Sequence, residues 1–251
     1  MSPQHELKFL CFGCGLGTIR LAAIGKHRLA TAADRTAHPY AVFTQALISI
    51  GTCPGMAGLT WNGTDHTAFV SEGGHADFAP GNEDELRLAL HLSQQVARVS
   101  VELLLSTSGL ELIYHHLRST SGAAEPEALA EAIQKDGLAR SILRSAAAHE
   151  DAVCQRAIGT FLSIFGSTAG NLALTLRATG GVYLAGDMLS SLRKQLGEST
   201  FRDAFSRKPP MHDFLNAIRI DAVMNERAAL LGAAAIAARD LRNRRVGGWT
   251  S

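Results

Sequence analysis

The spacing of hydrophobic and polar positions predicts strands in the first third of the chain. Residues 7–24 show two short apolar runs around a glycine-rich turn, which is typical of paired strands. Residues 38–50 are predicted as a helix that runs into a strand. Residues 51–70 predict a loop followed by a hairpin, because two alternating runs flank an Asn-Gly-Thr turn. Buried strands closed by glycine or polar residues are also expected at 180–187 and within 215–224.

Apolar residues recur at helical spacing through most of the remaining chain. A long helical stretch is predicted from about 83 to 118, carried by Leu86, Leu90, Val96, Val101, Leu104 and Leu105. Ser106, Ser108 and Gly109 break this spacing within it. Further helices are predicted at 127–147, 150–178, 189–206 and 226–245. Strands come first and single buried strands then alternate with helices, so the pattern predicts an α/β fold with a mixed sheet.

Length and composition narrow the function classes. The 251 residues suffice for one large domain or two small ones. Lys and Arg number 24 and Asp and Glu 23, so no strong electrostatic footprint for nucleic acid or an anionic membrane is expected. The apolar stretches are short and interrupted, and the N-terminal segment makes a poor secretory signal, so we expect no membrane-spanning helix.

The four cysteines predict neither a zinc site nor a disulfide framework. Cys11 and Cys14 form a single C-x-x-C pair, and a structural zinc site would need two further ligands. The pair lies in a strand-like run rather than at a helix start, so no special role is expected for it. The low cysteine count favours a reducing cytoplasm.

Three glycine-bearing turns follow apolar strands: FGCGLGT, IGTCPG and LAGD. Such turns bring backbone N–H groups close to phosphate oxygens. None matches a P-loop or a well-placed G-x-G-x-x-G. Each one alone is typical of simple chain reversal, whereas three in one chain make nucleotide binding a hypothesis to test.

The polar segment that most strongly indicates a ligand site is Glu72-Gly73-Gly74-His75. Its glycines let the backbone approach a ligand, and an acid with an imidazole can hold vicinal hydroxyls; the alternative is an ordinary surface turn. Glu102, within the predicted apolar helix, needs a partner or a ligand unless it faces solvent. Four other acids are predicted as charges at a helix start rather than catalytic groups: Asp77, Glu83, Asp84 and Glu85.

Four segments in order resemble the bacterial glucokinase family of ATP-dependent hexose kinases: SEGGHADFAPGNEDE, VARVSVELLLSTSGL, GNLALTLRATGGVYLAGD and ALLGAAA. The resemblance covers roughly residues 50–240. It implies the actin-like ATPase (ribonuclease H-like) fold, with a large α/β domain at 49–231. It further implies a remnant of a small N-terminal domain at 1–48 and a C-terminal helix and tail at 232–251 that pack back toward it. The cysteine-rich zinc motif of the related ROK kinases is absent from the sequence.

The resemblance also assigns site residues. Glu72, His75 and Glu102 correspond to the family's glucose ligands. The second phosphate loop falls on residues 49–55, where Gly51, Thr52 and Gly55 match the pattern. Cys53 and Pro54 depart from it, and the proline is expected to stiffen or distort the loop. Gly186 corresponds to the adenosine-side glycine pair, whose second member is here Asp187.

The N-terminal part departs most from the family. Gly17 and Thr18 match the first phosphate loop, but the loop's aspartate is missing. The Asn-Asp-Phe segment that carries the general base does not occur in the sequence, so no catalytic residue is assigned. Two readings stay open: phosphoryl transfer from ATP to the 6-hydroxyl of glucose, or a catalytically impaired relative that binds sugar or serves as a scaffold. The resemblance implies ATP with Mg²⁺ as cosubstrate, no protein-held metal, a homodimer and a cytoplasmic role in glycolysis.

Overall fold

The fold was obtained as a computed structural model, which describes residues 8–9, 17–18, 21–23, 44–61, 66–225, 227–234 and 237. The strands are β1 Lys8–Phe9, β2 Gly17–Thr18, β3 Leu21–Ala23, β4 Gln45–Ser49, β5 Gly55–Trp61, β6 His66–Ser71, β7 Val182–Ala185 and β8 Ile220–Val223. The α-helices are α1 Glu83–Ser93, α2 Val101–Leu104, α3 Thr107–Ser121, α4 Glu127–Asp136, α5 Leu138–Ala148, α6 Ala152–Leu176, α7 Leu189–Leu196, α8 Ser199–Ser206 and α9 His212–Ala217.

A mixed sheet organises the molecule, as the sequence predicted. Its strand order is β3-β8-β7-β4-β5-β6, and β1 and β2 form a separate antiparallel pair. The three central strands β4, β7 and β8 run parallel, whereas β5, β6 and β3 continue the sheet with antiparallel neighbours. The parallel register pairs Ser49 with Ala185, so the carboxyl ends of β4 and β7 lie side by side.

The main core lies between one face of the sheet and the helices. Its largest fully buried aromatic side chains are Tyr114, Phe161, Phe165, Phe201 and Phe205. The opposite face buries a smaller apolar group: Leu47, Ala57, Leu59, Tyr183 and Val223. Two faces that both exclude water explain why β4 and β7 read as short apolar runs rather than as alternating strands.

Helix α6 is the central core helix. Over 25 residues it is long and apolar enough to cross a membrane by length and composition, in contrast to our expectation of short, interrupted stretches, but 72% of that window is buried inside the protein. Its glycines, Gly166 and Gly170, allow helix α8 to pack closely against it. A Cβ atom on Gly166 would lie 2.1 Å from the carbonyl oxygen of Phe201, and one on Gly170 would lie 2.4 Å from that of Phe205.

The predicted helices exist, but several are divided. The single helix predicted for 83–118 is wrong: α1, α2 and α3 replace it, because serine side chains cap two new helix starts. Ser100 accepts a hydrogen bond from the amide of Leu103, and Ser106 accepts one from Gly109. The helix predicted for 127–147 is divided at Gly137, whose φ of 84° leaves the helical region.

The strands predicted at 180–187 and 215–224 agree with the structure, whereas residues 7–24, predicted as two strands, contribute three: β1, β2 and β3. The hairpin is formed by β5 and β6, and its predicted turn lies outside the described residues. The predicted helical part of 38–50 lies mostly outside the described residues, as do Cys11 and Cys14. Of the last predicted helix, 226–245, residues 228–234 and 237 are described as helical, and its end lies outside the described residues. The proposed domain boundaries stay a prediction.

Candidate functional site

Glu72 and His75 lie on one tight 3₁₀ turn, Gly73–His75, directly after β6. The amide of His75 donates to the carbonyl oxygen of Glu72 at 3.0 Å, which closes the turn. Both glycines are closely packed. A Cβ atom on Gly73 would lie 2.6 Å from Met56 Sδ, and one on Gly74 would lie 3.1 Å from the carbonyl oxygen of Pro54.

A short antiparallel pairing brings Glu102 to this turn. The amide of Phe78 donates to Val99, and the amide of Val101 donates to Ala76, each at 2.9 Å. Residue 102 therefore lies in the first turn of α2, beside His75. This corrects the sequence prediction, which placed Glu102 inside a long apolar helix.

The three predicted sugar ligands converge on the imidazole of His75. Its Nδ1 lies 2.7 Å from Glu102 Oε2, and its Nε2 lies 3.8 Å from Glu72 Oε2. The side chains of Glu72 and His75 are 84% and 65% exposed, so the cluster opens to solvent, whereas Glu102 is 31% exposed. Two carboxylates that only accept hydrogen bonds, next to a ring that donates and accepts, form a set suited to polyhydroxyl ligands.

The neighbouring acids serve the structure of this region. The prediction that Asp77 lies at a helix start is wrong. Its carboxylate instead forms an ion pair with Arg98, beside the backbone pairing of 76–78 with 99–101. Glu83, Asp84 and Glu85 do occupy the first turn of α1.

Glu85 has a role that the sequence reasoning missed. It is only 1% exposed and accepts hydrogen bonds from the amide of Gly81 at 2.6 Å, the side-chain amide of Asn82 at 2.7 Å and the hydroxyl of Ser163 at 2.6 Å. Asn82 in turn caps α1 by accepting from the amide of Glu85. This reciprocal arrangement resembles a capping box, except that Glu85 accepts from the amide of Gly81 and the side chain of Asn82 rather than from the backbone amide of Asn82. Asn followed three residues later by Glu is the sequence signal.

The glycine turns after β4 and β7 meet at the carboxyl edge of the sheet. Gly186 has a φ of 111°, and a Cβ atom there would lie 1.9 Å from the carbonyl oxygen of Ile50. Only glycine lets the two backbones approach this closely. Gly51 and exposed Thr52 follow Ile50 directly, so the structure brings together Gly51, Thr52 and Gly186. Ligands of open α/β sheets bind at such carboxyl ends.

The start of α3 holds the loop after β4, which the sequence reasoning did not anticipate. The amide of Thr107 donates to the carbonyl oxygen of Gly51 at 2.9 Å, and its hydroxyl donates to the same oxygen at 3.3 Å. Ser106 bridges Gly51 in a parallel pairing. The signal in the sequence is the Ser-Thr-Ser-Gly run, whose hydroxyl groups favour a helix cap.

The two groups of residues are neighbours. Gly74 of the Glu72–His75 turn packs on Pro54 of the loop after β4. The segment 100–109 then joins them from the other side, because it carries Glu102 at one end and the Gly51 contacts at the other. Gly17 and Thr18 form β2, outside the six-stranded sheet, and their assignment to a first phosphate loop stays a prediction.

Among the described residues, no group of three or more His, Cys, Asp or Glu side chains could hold a metal ion. The cluster around His75 consists of two carboxylates and an imidazole, which are hydrogen-bonding groups. Asp187 lies apart from it, beside Gly51: its carboxylate Oδ2 is 3.8 Å from the point that a Cβ atom on Gly51 would occupy.

Comparison with known proteins identifies the family. The family model described as Glucokinase matches residues 12–240, which is most of the chain. The chain belongs to the glucokinase family. A glucokinase of Nostoc sp. is 36% identical over 207 residues, which cover 77% of this chain and 60% of that protein. The chain thus spans less than two thirds of the length of this glucokinase.

Solved glucokinase structures share the fold. A glucokinase from an Antarctic psychrotroph superposes with a TM-score of 0.70 at 26% identity, covering 87% of this chain and 62% of that one. A ROK family glucokinase from Streptomyces griseus, in complex with glucose and AMPPNP, superposes with a TM-score of 0.56 at 18% identity, covering 84% and 66%. The predicted actin-like ATPase fold is confirmed.

Proposed function

We propose that this glucokinase-family chain binds glucose through Glu72, His75 and Glu102. The observation that carries the proposal is the convergence of the three side chains, with His75 Nδ1 2.7 Å from Glu102 Oε2. A hexose offers adjacent hydroxyl groups that donate and accept hydrogen bonds, and charged acceptors bind hydroxyl donors more strongly than neutral ones. The Streptomyces griseus relative binds glucose on the same fold, which supports this choice of ligand.

The second ligand of the proposal is ATP with Mg²⁺. The N–H groups around Gly51 and Gly186 and the hydroxyl of Thr52 would receive phosphate oxygens at the carboxyl edge of the sheet. Gly17 and Thr18 would add the first phosphate loop. Mg²⁺ commonly binds through substrate phosphates with one or two carboxylates rather than in a protein cage. The residues beside these loops fit this mode, because the hydroxyl of exposed Thr52 and the carboxylate of Asp187 near Gly51 are hard oxygen groups.

The reaction proposed is phosphoryl transfer from ATP to the 6-hydroxyl of glucose. The contribution of these residues is positioning: the cluster at His75 orients the sugar, while the loops after β4 and β7 hold the phosphates in the adjacent space. Gly74 packs on Pro54, so the proposed sugar site and the loop after β4 are neighbours.

A second candidate function is sugar binding or scaffolding without turnover. The sequence contains no Asn-Asp-Phe segment that would supply the family's general base. Loss of a positioned base lowers the rate by about 10²–10⁴-fold. This reading keeps the glucose site and removes most of the catalysis.

A coupled assay for glucose 6-phosphate, run beside calorimetric titration with glucose, separates the candidates. Turnover above background supports kinase activity. Glucose binding without turnover supports the second candidate. If the chain neither binds glucose nor forms glucose 6-phosphate, the proposed glucose site is contradicted and only the scaffold reading is left. A matched variant, Glu102→Gln, checks that any signal comes from the cluster around His75.

The proposal includes a homodimeric, cytoplasmic protein of glycolysis with no nucleic-acid or membrane partner. The near balance of 24 basic and 23 acidic residues supports the last two points. Light scattering after size-exclusion chromatography tests the dimer, and cell fractionation tests the location.

A further inference from the structure

We propose that Asp187 makes the nucleotide site of this chain selective for the Mg²⁺ complex over the metal-free nucleotide. This inference rests on the proposed function, because it assumes that the loops at Gly51 and Gly186 receive nucleotide phosphates. Asp187 places a negative charge directly beside those loops.

The position of Asp187 is fixed by its neighbours. Gly186 packs directly against the backbone of Ile50, so closely that there is no room for a Cβ atom. The following residue must therefore lie over the loop after β4. Both the amide nitrogen and the carboxylate Oδ2 of Asp187 are 3.8 Å from the point that a Cβ atom on Gly51 would occupy. The carboxylate thus lies where phosphates bound to Gly51 and Thr52 would arrive.

The carboxylate of Asp187 is available to a ligand. The residue is exposed, and within the described part of the chain its side chain forms no hydrogen bond or ion pair. Its carbonyl oxygen, by contrast, accepts from the hydroxyl of Ser190 at 3.3 Å, which anchors the backbone at the start of α7. A fixed backbone with an unengaged charged group is a suitable arrangement for an outer ligand of a cation.

The charges give the direction of the effect. A metal-free nucleoside diphosphate brings negative charge toward Asp187 and is repelled, whereas the Mg²⁺ complex presents a cation to the carboxylate. The carboxylate oxygens and the hydroxyl of Thr52 are hard ligands that suit Mg²⁺. The first effect lowers the affinity for the metal-free nucleotide and the second raises the affinity for the Mg²⁺ complex. Both raise the ratio of the second affinity to the first, so this ratio is the sensitive quantity.

The test is calorimetric titration with ADP in the presence of Mg²⁺ and in the presence of EDTA. Asp187→Asn keeps the shape and removes the charge. We expect the ratio of ADP affinity with Mg²⁺ to that with EDTA to fall by about tenfold in this variant, because unit charges a few ångström apart interact on that scale in partly solvated surroundings. Glu131→Gln, an exposed charge on α4, is the matched control and should leave the ratio unchanged.

The outcomes separate this inference from the proposed function. An unchanged ratio in Asp187→Asn, with ADP still bound, overturns the role of Asp187 and leaves the nucleotide site intact. Absence of ADP binding by the unsubstituted chain under both conditions contradicts the proposed function and this inference together. A ratio that falls equally in Glu131→Gln assigns the effect to net charge and also overturns the proposal.

Discussion

The Nδ1 atom of His75 lies 2.7 Å from Oε2 of Glu102, although the two residues belong to separate elements. The turn after β6 carries one, and the first turn of α2 carries the other. The pairing of Ala76 with Val101 holds the elements together, and Ser100 caps α2 at the required position. The contact is therefore a product of backbone hydrogen bonds rather than of the two side chains alone.

Glu102→Gln should weaken glucose binding by about tenfold or more, because hydrogen bonds to charged groups contribute about 1.5–3 kcal/mol. The free energy of unfolding should change by less than about 1 kcal/mol, because the contact between Glu102 and the exposed His75 ring is partly open to solvent. Calorimetry and urea denaturation measure the two quantities. A variant that binds glucose like the unsubstituted chain would remove Glu102 from the site.

Gly186→Ala should destabilise the protein by about 4 kcal/mol, because alanine combines a strained φ with a backbone clash at Ile50. Gly122→Ala is the matched control: its φ is also positive, at 64°, but no atom lies within 4 Å of the added Cβ. We expect about 1–2 kcal/mol there. If urea denaturation shows the same loss of unfolding free energy in both variants, the clash with Ile50 contributes nothing and the prediction is contradicted.

Glu85→Gln should lower the free energy of unfolding by about 2–4 kcal/mol, because an amide cannot accept from all three donors that the carboxylate binds. Glu83→Gln, two residues away on the same helix turn, removes an exposed ion pair with Arg87 and should stay within about 0.5 kcal/mol. Chemical denaturation of both variants measures the difference. A loss as small as that of Glu83→Gln would contradict the buried role of Glu85.

Stability should fall as the pH drops below the ordinary histidine range. Burial lowers the pKa of His116 below 6.5, and the neighbouring His91 lowers this pKa further. The folded state therefore binds fewer protons than the unfolded state. The contribution is fully present above the unfolded pKa and is lost as the pH falls through the lowered folded pKa.

Urea denaturation on both sides of pH 6.5 measures this slope. His116→Gln should flatten it, whereas substitution of the adjacent, exposed His115 by Gln should leave it in place. A slope that is the same in the unsubstituted chain and in His116→Gln would assign the pH dependence to other groups.

Local patterns predicted most of the elements. The hairpin of β5 and β6 follows from alternation on both sides of a turn, which needs no distant contact. The division of the predicted helix at 83–118 is also local, because it follows from the caps Ser100 and Ser106. The error arises because apolar residues recur at roughly helical spacing on both sides of the serines, so the sequence pattern places the break at Ser106 within one helix.

Long-range relationships could not be predicted in this way. Glu85 occupies a helix start, as expected of an acid, but its burial depends on Ser163, a residue of the distant helix α6. The meeting of His75 with Glu102 likewise depends on a pairing between separate segments. Only the family resemblance predicted it, because related chains preserve the set of residues and not merely their local pattern.

The most direct test of the central claim is a crystal structure of this chain grown with glucose. We predict that hydroxyl groups of one sugar lie within hydrogen-bonding distance of Glu72, His75 and Glu102, beside the turn at Gly73 and Gly74. A sugar bound elsewhere, with these three side chains engaged only with one another and with water, would contradict the account.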